Sequence, residues 1–534
     1  MHTPTLLGSA LALALAVPVA QGAMFDPYFA NLTFEAPRTL SNWSNLTVTT
    51  ETGTFIGMFN DTYPNVRQFL RIPYAQPPVG DLRWEPAQYP HPSRKRIDST
   101  YFGPMCPQYV GKAASVWNEY EPTNEIINPG EKLDAGMVAW NTAEDCLTLA
   151  VWTPAYANIS SKLPVALFVT GGGGLTGGVD IASQLPTNWV SRSQEHIAVT
   201  INYRNNIFGK PGSRALKETS LTLLDVRAAI EWVHININAF GGDRENIMLF
   251  GQSEGAGLVN QYTLAFPDVP LANKFGMLSQ PSSQIVNVTT DADPYEPFDI
   301  LAKSLGCNYG DDYDAELECM RQQSWVEILE TINNWNATPA ISTFYLDIPD
   351  EKYIFSNESA RYAAGLVAPG PAIRSNAAAE TSTANNETAT TLAAQAFTCK
   401  TYDESLLRHS IGLDTYRYFW AGNFTNISPV YWIGALHWSD LLMLFGTYET
   451  DVGAGGAIPS LEVQTSQTMQ DYFLAFLKDP STVNTTVNWP AFDPTAANGG
   501  QIVEFGKDVA SQIVTGDYID GSCWNSSAVY PLHG

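Results

Sequence analysis

Basic side chains are scarce in this chain. Lysine and arginine together number 28 against 54 aspartates and glutamates in 534 residues, giving a formal net charge of −26 at pH 7. So acidic a surface repels phosphate backbones and anionic headgroups, which argues against nucleic-acid or membrane-surface binding and leaves small neutral or cationic ligands open. Histidine is rarer still, with seven copies, so histidine-dependent chemistry must draw on a short set. Cysteine is limited to six residues, none in a C-x-x-C pair. An even set without metal spacing suits three disulfides in an oxidising compartment rather than a zinc site. With 45% hydrophobic and only 15% charged residues, the chain fits a large globular core and not a disordered tail or coiled coil.

Beyond the N-terminus the chain has no apolar run of membrane-spanning length. The run from Leu6 to Val17 is followed by Pro18 and small residues. It is too short for a comfortable span and ends in the pattern of a signal-peptide cleavage site, expected after Ala20 or as late as Ala23. A buried helix or an uncleaved anchor is the competing reading, because His2 is the only basic residue ahead of the run. Asn31, Asn45, Asn60, Asn158, Asn287, Asn336, Asn423, Asn484 and Asn525 each head an Asn-x-Ser/Thr sequon, so N-glycans on the secretory route are expected. No retention tetrapeptide or hydrophobic tail closes the chain, and a secreted, extracellular protein without a stable membrane anchor is the simplest expectation.

Residues 165–169 (Val-Ala-Leu-Phe-Val), 197–201 (Ile-Ala-Val-Thr-Ile) and 247–250 (Ile-Met-Leu-Phe) are apolar without alternation, as strands buried on both faces of a mostly parallel sheet are. Residues 223–238 place Leu224, Ala228, Ile230 and Val233 among Asp225, Arg227 and Glu231, which predicts an amphipathic helix. The alternation of strand, helix, strand, turn and helix defines an α/β protein with a central sheet flanked by helices. From about 279 to 397 the pattern changes to helices and polar loops, including the low-complexity stretch 377–390, which predicts a helical cap or insertion within one domain spanning 24–534.

Chemistry concentrates in three places. Gly251-Gln252-Ser253-Glu254-Gly255 matches G-x-S-x-G between a predicted strand and a predicted helix. There a serine sits on a sharp turn, the flanking glycines avoid collisions with neighbouring backbone, and the helix N-terminus favours developing negative charge. The bland alternative is a serine in an ordinary helix-start turn. Upstream, the strand ending at Val169 runs into Thr170 and four consecutive glycines. Backbone N–H groups of Gly172 and Gly173, joined by that of Glu254, are the candidates for an oxyanion hole, since glycine lets the backbone approach a reacting carbonyl. A flexible loop or phosphate-binding turn is the alternative, and no Gly-Lys-Ser/Thr follows to support it. A general base should follow the serine in the chain. Of His409, His437 and His533, the second lies at a turn before an apolar helix and is the preferred base; His409 falls on a helical, solvated face and His533 beside the chain end.

Taken together with Arg71 to Gly80, Glu144-Asp145-Cys146-Leu147, Asn202-Tyr203-Arg204, Phe240-Gly241-Gly242-Asp243 and the stretch from Gly434 to Gly446, these motifs resemble the type-B carboxylesterase family of cholinesterases, fungal lipases and the non-catalytic neuroligins. The resemblance covers almost the whole chain past the leader. It implies the α/β-hydrolase fold, acyl-enzyme chemistry on a small-molecule ester and no cofactor or metal. It also assigns the triad acid to Glu380, although Ser375, Ala379 and Thr381 stand where the family has glycine, aspartate and glycine. Glu387 or Asp403 is the alternative orienter of the histidine. Thr170 and Gly174 likewise replace the aromatic or histidine residues that commonly bracket the glycines. By the family's pattern Cys106 pairs with Cys146, Cys307 with Cys319 and Cys399 with Cys523.

The mechanism so implied is two-step acyl transfer, with Ser253 as nucleophile, His437 as base and Glu380 holding the imidazole. Two other readings remain. A triacylglycerol lipase working at an oil interface would want an apolar lid, whereas the loop between Cys106 and Cys146 mixes Trp117, Tyr120 and Trp140 with Glu119, Glu121 and Glu125. A neuroligin-like binding protein would not need both the serine and the histidine.

Overall fold

Runs of apolar residues without alternation become strands covered on both sides. In the computed structural model, every residue of 148–154, 197–201 and 274–278 is buried. Alternate side chains still part to opposite faces. Ala166 and Phe168 join Met248 and Phe250 in one hydrophobic core, while Val165, Leu167 and Val169 join Ile247 and Leu249 in the other. Period-two geometry thus builds two cores from one set of strands.

The structure describes residues 46–109, 138–139, 141–281, 293–334, 346–380, 387–428, 432–449, 458–525 and 527–532. These belong to one unit, Ser44–Gly534. The leader expected over 1–23 lies outside them, as do Asn31, Asn45, Asn287, Asn336 and His533. In chain order the strands are β1 (Thr47–Thr50), β2 (Gly53–Ile56), β3 (Met58–Asn60), β4 (Tyr63–Pro73), β5 (Arg96–Asp98), β6 (Thr148–Pro154), β7 (Leu163–Val169), β8 (Ile197–Ile201), β9 (Gly242–Gln252), β10 (Lys274–Leu278), β11 (Ala372–Ala377), β12 (Thr415–Trp420), β13 (Gln501–Phe505) and β14 (Ser511–Thr515). β1, β2 and β5 form a small sheet. The other eleven form one mixed sheet in the order β3-β4-β6-β8-β7-β9-β10-β11-β12-β13-β14. From β8 through β13 neighbouring strands are parallel, and the two margins are antiparallel.

Helices cover both faces. Leu221–Asn236 sets Leu223, Val226, Ile230 and Val233 into one core, and Ser460–Lys478 sets Met469, Phe473 and Phe476 into the other. The first helix is less amphipathic than its sequence predicts. Asp225, expected on its polar face, is fully buried and accepts hydrogen bonds from the Arg204 backbone and guanidinium at 2.7–3.0 Å. A paired carboxylate can be buried where a lone one cannot.

Within the 279–397 stretch expected as a cap, helices Glu296–Ser304, Tyr313–Gln322 and Trp325–Asn334 contribute Phe298, Leu301, Leu317, Met320 and Leu329 to a third core, which they share with Trp84, Ile207, Phe208 and Leu221 from earlier in the chain. β11 also falls in this stretch and is a central strand of the sheet, between β10 and β12. Disulfides join Cys106 to Cys146, Cys307 to Cys319 and Cys399 to Cys523. No helix among the described residues is long and apolar enough to cross a membrane.

Candidate active site

The carboxyl ends of the parallel strands bring the expected site residues to one edge of the sheet, where ligands of open α/β sheets bind. Val169 pairs with Gly251, so the glycine loop that follows β7 lies beside the turn that follows β9. At that turn Ser253 adopts φ 56° and ψ −121°, immediately before helix Glu254–Ala265. Such a backbone costs about 1–3 kcal/mol and persists only where its surroundings impose it. They do so here by close approach. A Cβ on Gly251 would stand 2.4 Å from the Gly255 carbonyl group, and one on Gly255 would stand 2.1 Å from Val169 O. The Ser253 N–H is held by Leu278 O at 2.9 Å, tying the turn to β10.

The glycine loop approaches the same point. A Cβ on Gly171 would stand 3.0 Å from Ser253 Cβ, and Gly172 and Gly173 have φ of 124° and 62°. Gln108, itself fully buried, clamps the far side of this loop by donating to Gly177 O at 3.1 Å and accepting from Gly177 N at 3.0 Å. Thus the segment after Cys106 sets the loop. The N–H of Glu254 lies in the first turn of its helix, where no carbonyl four residues back can receive it.

His437 and Glu380 meet through backbone pairing of two distant loops. Ala379 bridges Leu436 in parallel, Ala379 N donates to Ala435 O, and His437 N donates to Ala379 O, both at 3.0 Å. Their side chains follow: His437 Nδ1 is hydrogen-bonded to Glu380 Oε2, and Glu380 Oε1 accepts from Ala377 N at 2.6 Å. Glu380 is 1% exposed and His437 7%. The Phe397 ring stands edge-on to the imidazole at 5.3 Å. Of the alternatives, Asp403 and His409 are exposed on helix Glu387–Ser410, and the side chain of Glu387 is outside the described set.

Three groups near the site went unrecognised in the sequence. Gln252 Nε2 stands 3.1 Å from His437 Nε2. The Glu254 carboxylate, fully buried, pairs with Lys210 at 2.7 Å, and Lys210 also meets Asp347 at 2.9 Å. Burial alone would lower the Lys210 ammonium, but Asp347 and Glu254 more than offset it and hold it above the ordinary lysine value. Asp440 accepts from Tyr418 Oη at 2.6 Å. Burial pushes its carboxyl up to about 6, with the Tyr418 bond opposing and the charge of Glu380 adding to the rise. Gln252 and Glu254 were the legible ones, since both lie inside the pentapeptide, whereas Lys210 and Asp440 lie outside it. Among the described residues no cluster of histidine, cysteine or acidic side chains could hold a metal ion.

A parallel-stranded sheet, a serine on a strained strand-to-helix turn and a histidine joined to a buried glutamate define the α/β-hydrolase architecture. The carboxylesterase family matches residues 44–367. The chain is 34% identical to the chlorogenic acid esterase of Aspergillus niger over 511 residues, covering 90% of this chain and 95% of the relative. It is 32% identical to secreted lipase 5 of Gibberella zeae, covering 92% of each, and 28% identical to the acetylcholinesterase of Bungarus fasciatus over 56% of this chain and 47% of the enzyme. The chain belongs to the carboxylesterase family and is a carboxylic-ester hydrolase.

Proposed function

We propose that the protein is a secreted esterase that cleaves soluble carboxylic esters through a Ser253–His437–Glu380 triad. The observation that carries this reading is the buried Glu380–His437 pair at the same sheet edge as the strained Ser253 turn. Glu380, with one oxygen on Ala377 N, presents the other to Nδ1. The proton then sits on Nδ1, and the Nε2 lone pair is the base that takes the Ser253 hydroxyl proton as Oγ attacks the ester carbonyl. Gly172, Gly173 and Glu254 N–H groups receive the oxyanion. Collapse of the tetrahedral adduct returns the proton from His437 to the leaving alcohol. Water then repeats both steps on the acyl-serine.

Soluble substrates are favoured by the match to a chlorogenic acid esterase along nearly the full length of both chains. The match to a secreted lipase favours a second reading, hydrolysis of triacylglycerols at an interface, and supports export from the cell. Three disulfides and exposed sequons at Asn158, Asn423, Asn484 and Asn525 fit the same route. The leader is taken as residues 1–20, and the rest of the chain from 24 as one esterase domain with a helical cap. Nitrophenyl esters of rising chain length, with chlorogenic acid and an emulsified triacylglycerol alongside, test the substrate class. Turnover should be greatest on the soluble esters and fall by several decades in Ser253→Ala, on the order of other triad-serine losses. A strong preference for the emulsion would replace this reading with the lipase one.

A further inference from the structure

One short segment touches both groups of oxyanion donors. It follows β8 and runs from Tyr203 to Lys210. On the glycine-loop side, Tyr203 Oη donates to Thr170 O at 2.7 Å, Asn206 N donates to Gly174 O at 2.6 Å, and Asn206 Nδ2 donates to Leu175 O at 3.2 Å. The loop that carries Gly172 and Gly173 is thus held at each end from this segment. On the serine side, Lys210 Nζ donates to Glu254 Oε1 at 2.7 Å. The other Glu254 oxygen, Oε2, is buried and has no hydrogen-bond partner among the described residues, so Lys210 is what fastens this carboxylate.

Between these contacts the segment has little room to give. Asn206 takes φ 47°, Asn206–Gly209 forms one helical turn, and Lys210 N closes it on Asn206 O at 2.7 Å. A Cβ on Gly209 would stand 2.1 Å from Arg204 O, so the turn is packed against the chain that precedes it. Asn206, Lys210, Glu254 and Asp347 are each no more than 4% exposed. Water cannot replace their bonds, and a buried charge that loses its partner is left uncompensated. Spacing matters because an oxyanion is stabilised only by donors within about 2.7–3.1 Å of where its charge develops. The Glu254 N–H and the glycine N–H groups come from different loops, and a support common to both is what can fix their separation.

We propose that Asn206 and Lys210 are positioning residues that clasp the two arms of the oxyanion hole, Asn206 through the glycine loop and Lys210 through the Glu254 side chain, and so set the spacing of the donors. This rests on the reading of the Gly172, Gly173 and Glu254 N–H groups as those donors. Both residues act through the backbone they hold, and neither exchanges a proton.

Glu254→Met keeps the backbone N–H and the side-chain length, cuts the clasp, and leaves Lys210 its pair with Asp347. The readout, on the full chain and beside a thermal melt, is kcat/KM for a soluble nitrophenyl ester relative to the matching thionoester, each divided by the ester's own reactivity with hydroxide. An oxygen that becomes an anion takes strong hydrogen bonds, whereas sulfur is a weak acceptor and gains little from them. Displaced donors therefore slow the oxygen ester more than the sulfur one, while a loosened fold slows both alike. In Glu254→Met, kcat on the oxygen ester should fall by about ten- to a hundredfold with KM nearly constant, and the oxygen-to-sulfur ratio by about tenfold. Glu254→Gln, which can still accept from Lys210, should restore most of both. Asn206→Gly, which removes the bond to Leu175 O without straining the positive φ, should lower the ratio by about threefold, the worth of one weak hydrogen bond. An unchanged ratio in Glu254→Met, whatever its kcat, or a Glu254→Gln enzyme no better than Glu254→Met, would overturn the proposal. If Glu254→Met does not fold, the ratio in Asn206→Gly decides alone. A wild-type ratio near one would instead remove the oxyanion reading itself, whereas a high wild-type ratio that survives in Glu254→Met removes only the clasp.

Discussion

The site has two halves built on different principles. Around Ser253 the geometry is local and steric: Gly251, Gly255 and Gly171 are short contacts between neighbouring turns, each within a few residues of the serine or of the adjoining strand end. Around His437 it is long-range and cooperative. Glu380 and His437 stand 57 positions apart and are registered by the pairing of Ala379 with Leu436, beyond the ends of β11 and β12. A half of the first kind fails when any atom is added to it. The second kind tolerates changes in nearby side chains, which is why Ser375, Ala379 and Thr381 can replace the family's usual residues while the carboxylate still reaches the imidazole.

Breaking the cooperative half at its polar centre should give the largest effect. Glu380→Gln is expected to cut turnover by roughly two to four decades while KM changes little, because the acid acts on the imidazolium formed in the transition state and not on ground-state binding. Asp403→Asn and Glu387→Gln are the controls and should leave turnover near normal. Loss of turnover in a control, with Glu380→Gln still active, would move the acid to that control.

The steric half should respond to a single methyl. Gly171→Ala places its Cβ 2.7 Å from Gln252 Oε1 and 3.0 Å from Ser253 Cβ. Displacing either by a fraction of an ångström should lower kcat by about ten- to a hundredfold. Kinetics beside a thermal melt would show this loss with most of the stability retained. If Gly171→Ala is as active as wild type, the glycine loop is looser than the contacts imply.

A smaller and pH-dependent effect should come from Asp440, which borders the cooperative half. Its carboxyl titrates at about 6 when folded against 3.8 as a free side chain, chiefly through burial. The folded state therefore keeps a proton that the unfolded chain releases in this interval. The stabilisation is complete below about pH 4 and is lost as pH rises through about 6. Asp440→Asn stays neutral throughout, so its Tm should exceed that of wild type above pH 6, on the order of 1–3 °C, and the gain should vanish below pH 4. A gain independent of pH would mean that Asp440 does not titrate in that window.

These contrasts also explain what the sequence could reveal. Gly251 to Gly255 and the run after Thr170 were legible because their steric demands are met by neighbours in the chain. The parallel strands were legible because burial on both faces leaves no polar alternation. Asp225 was misplaced on a solvated face because its partner, Arg204, lies in a different loop. β11 was absorbed into the expected cap because Arg374, Ser375 and Asn376 break the apolar pattern; all three are buried, and Arg374 pairs with Glu404 on helix Glu387–Ser410. Glu380 came only from family resemblance, since the Ala379–Leu436 pairing leaves no local signature. Gln252 was passed over because the motif places no steric demand on that position.

Ser253 as the nucleophile is the assignment on which the chemistry of both halves turns. Its direct test is reaction of the full-length protein with a fluorophosphonate probe, followed by peptide mapping of the adduct. The adduct should map to Ser253 alone, and labelling should disappear in Ser253→Ala. A probe mass on any other residue of the wild-type protein, or undiminished labelling of Ser253→Ala, would contradict it.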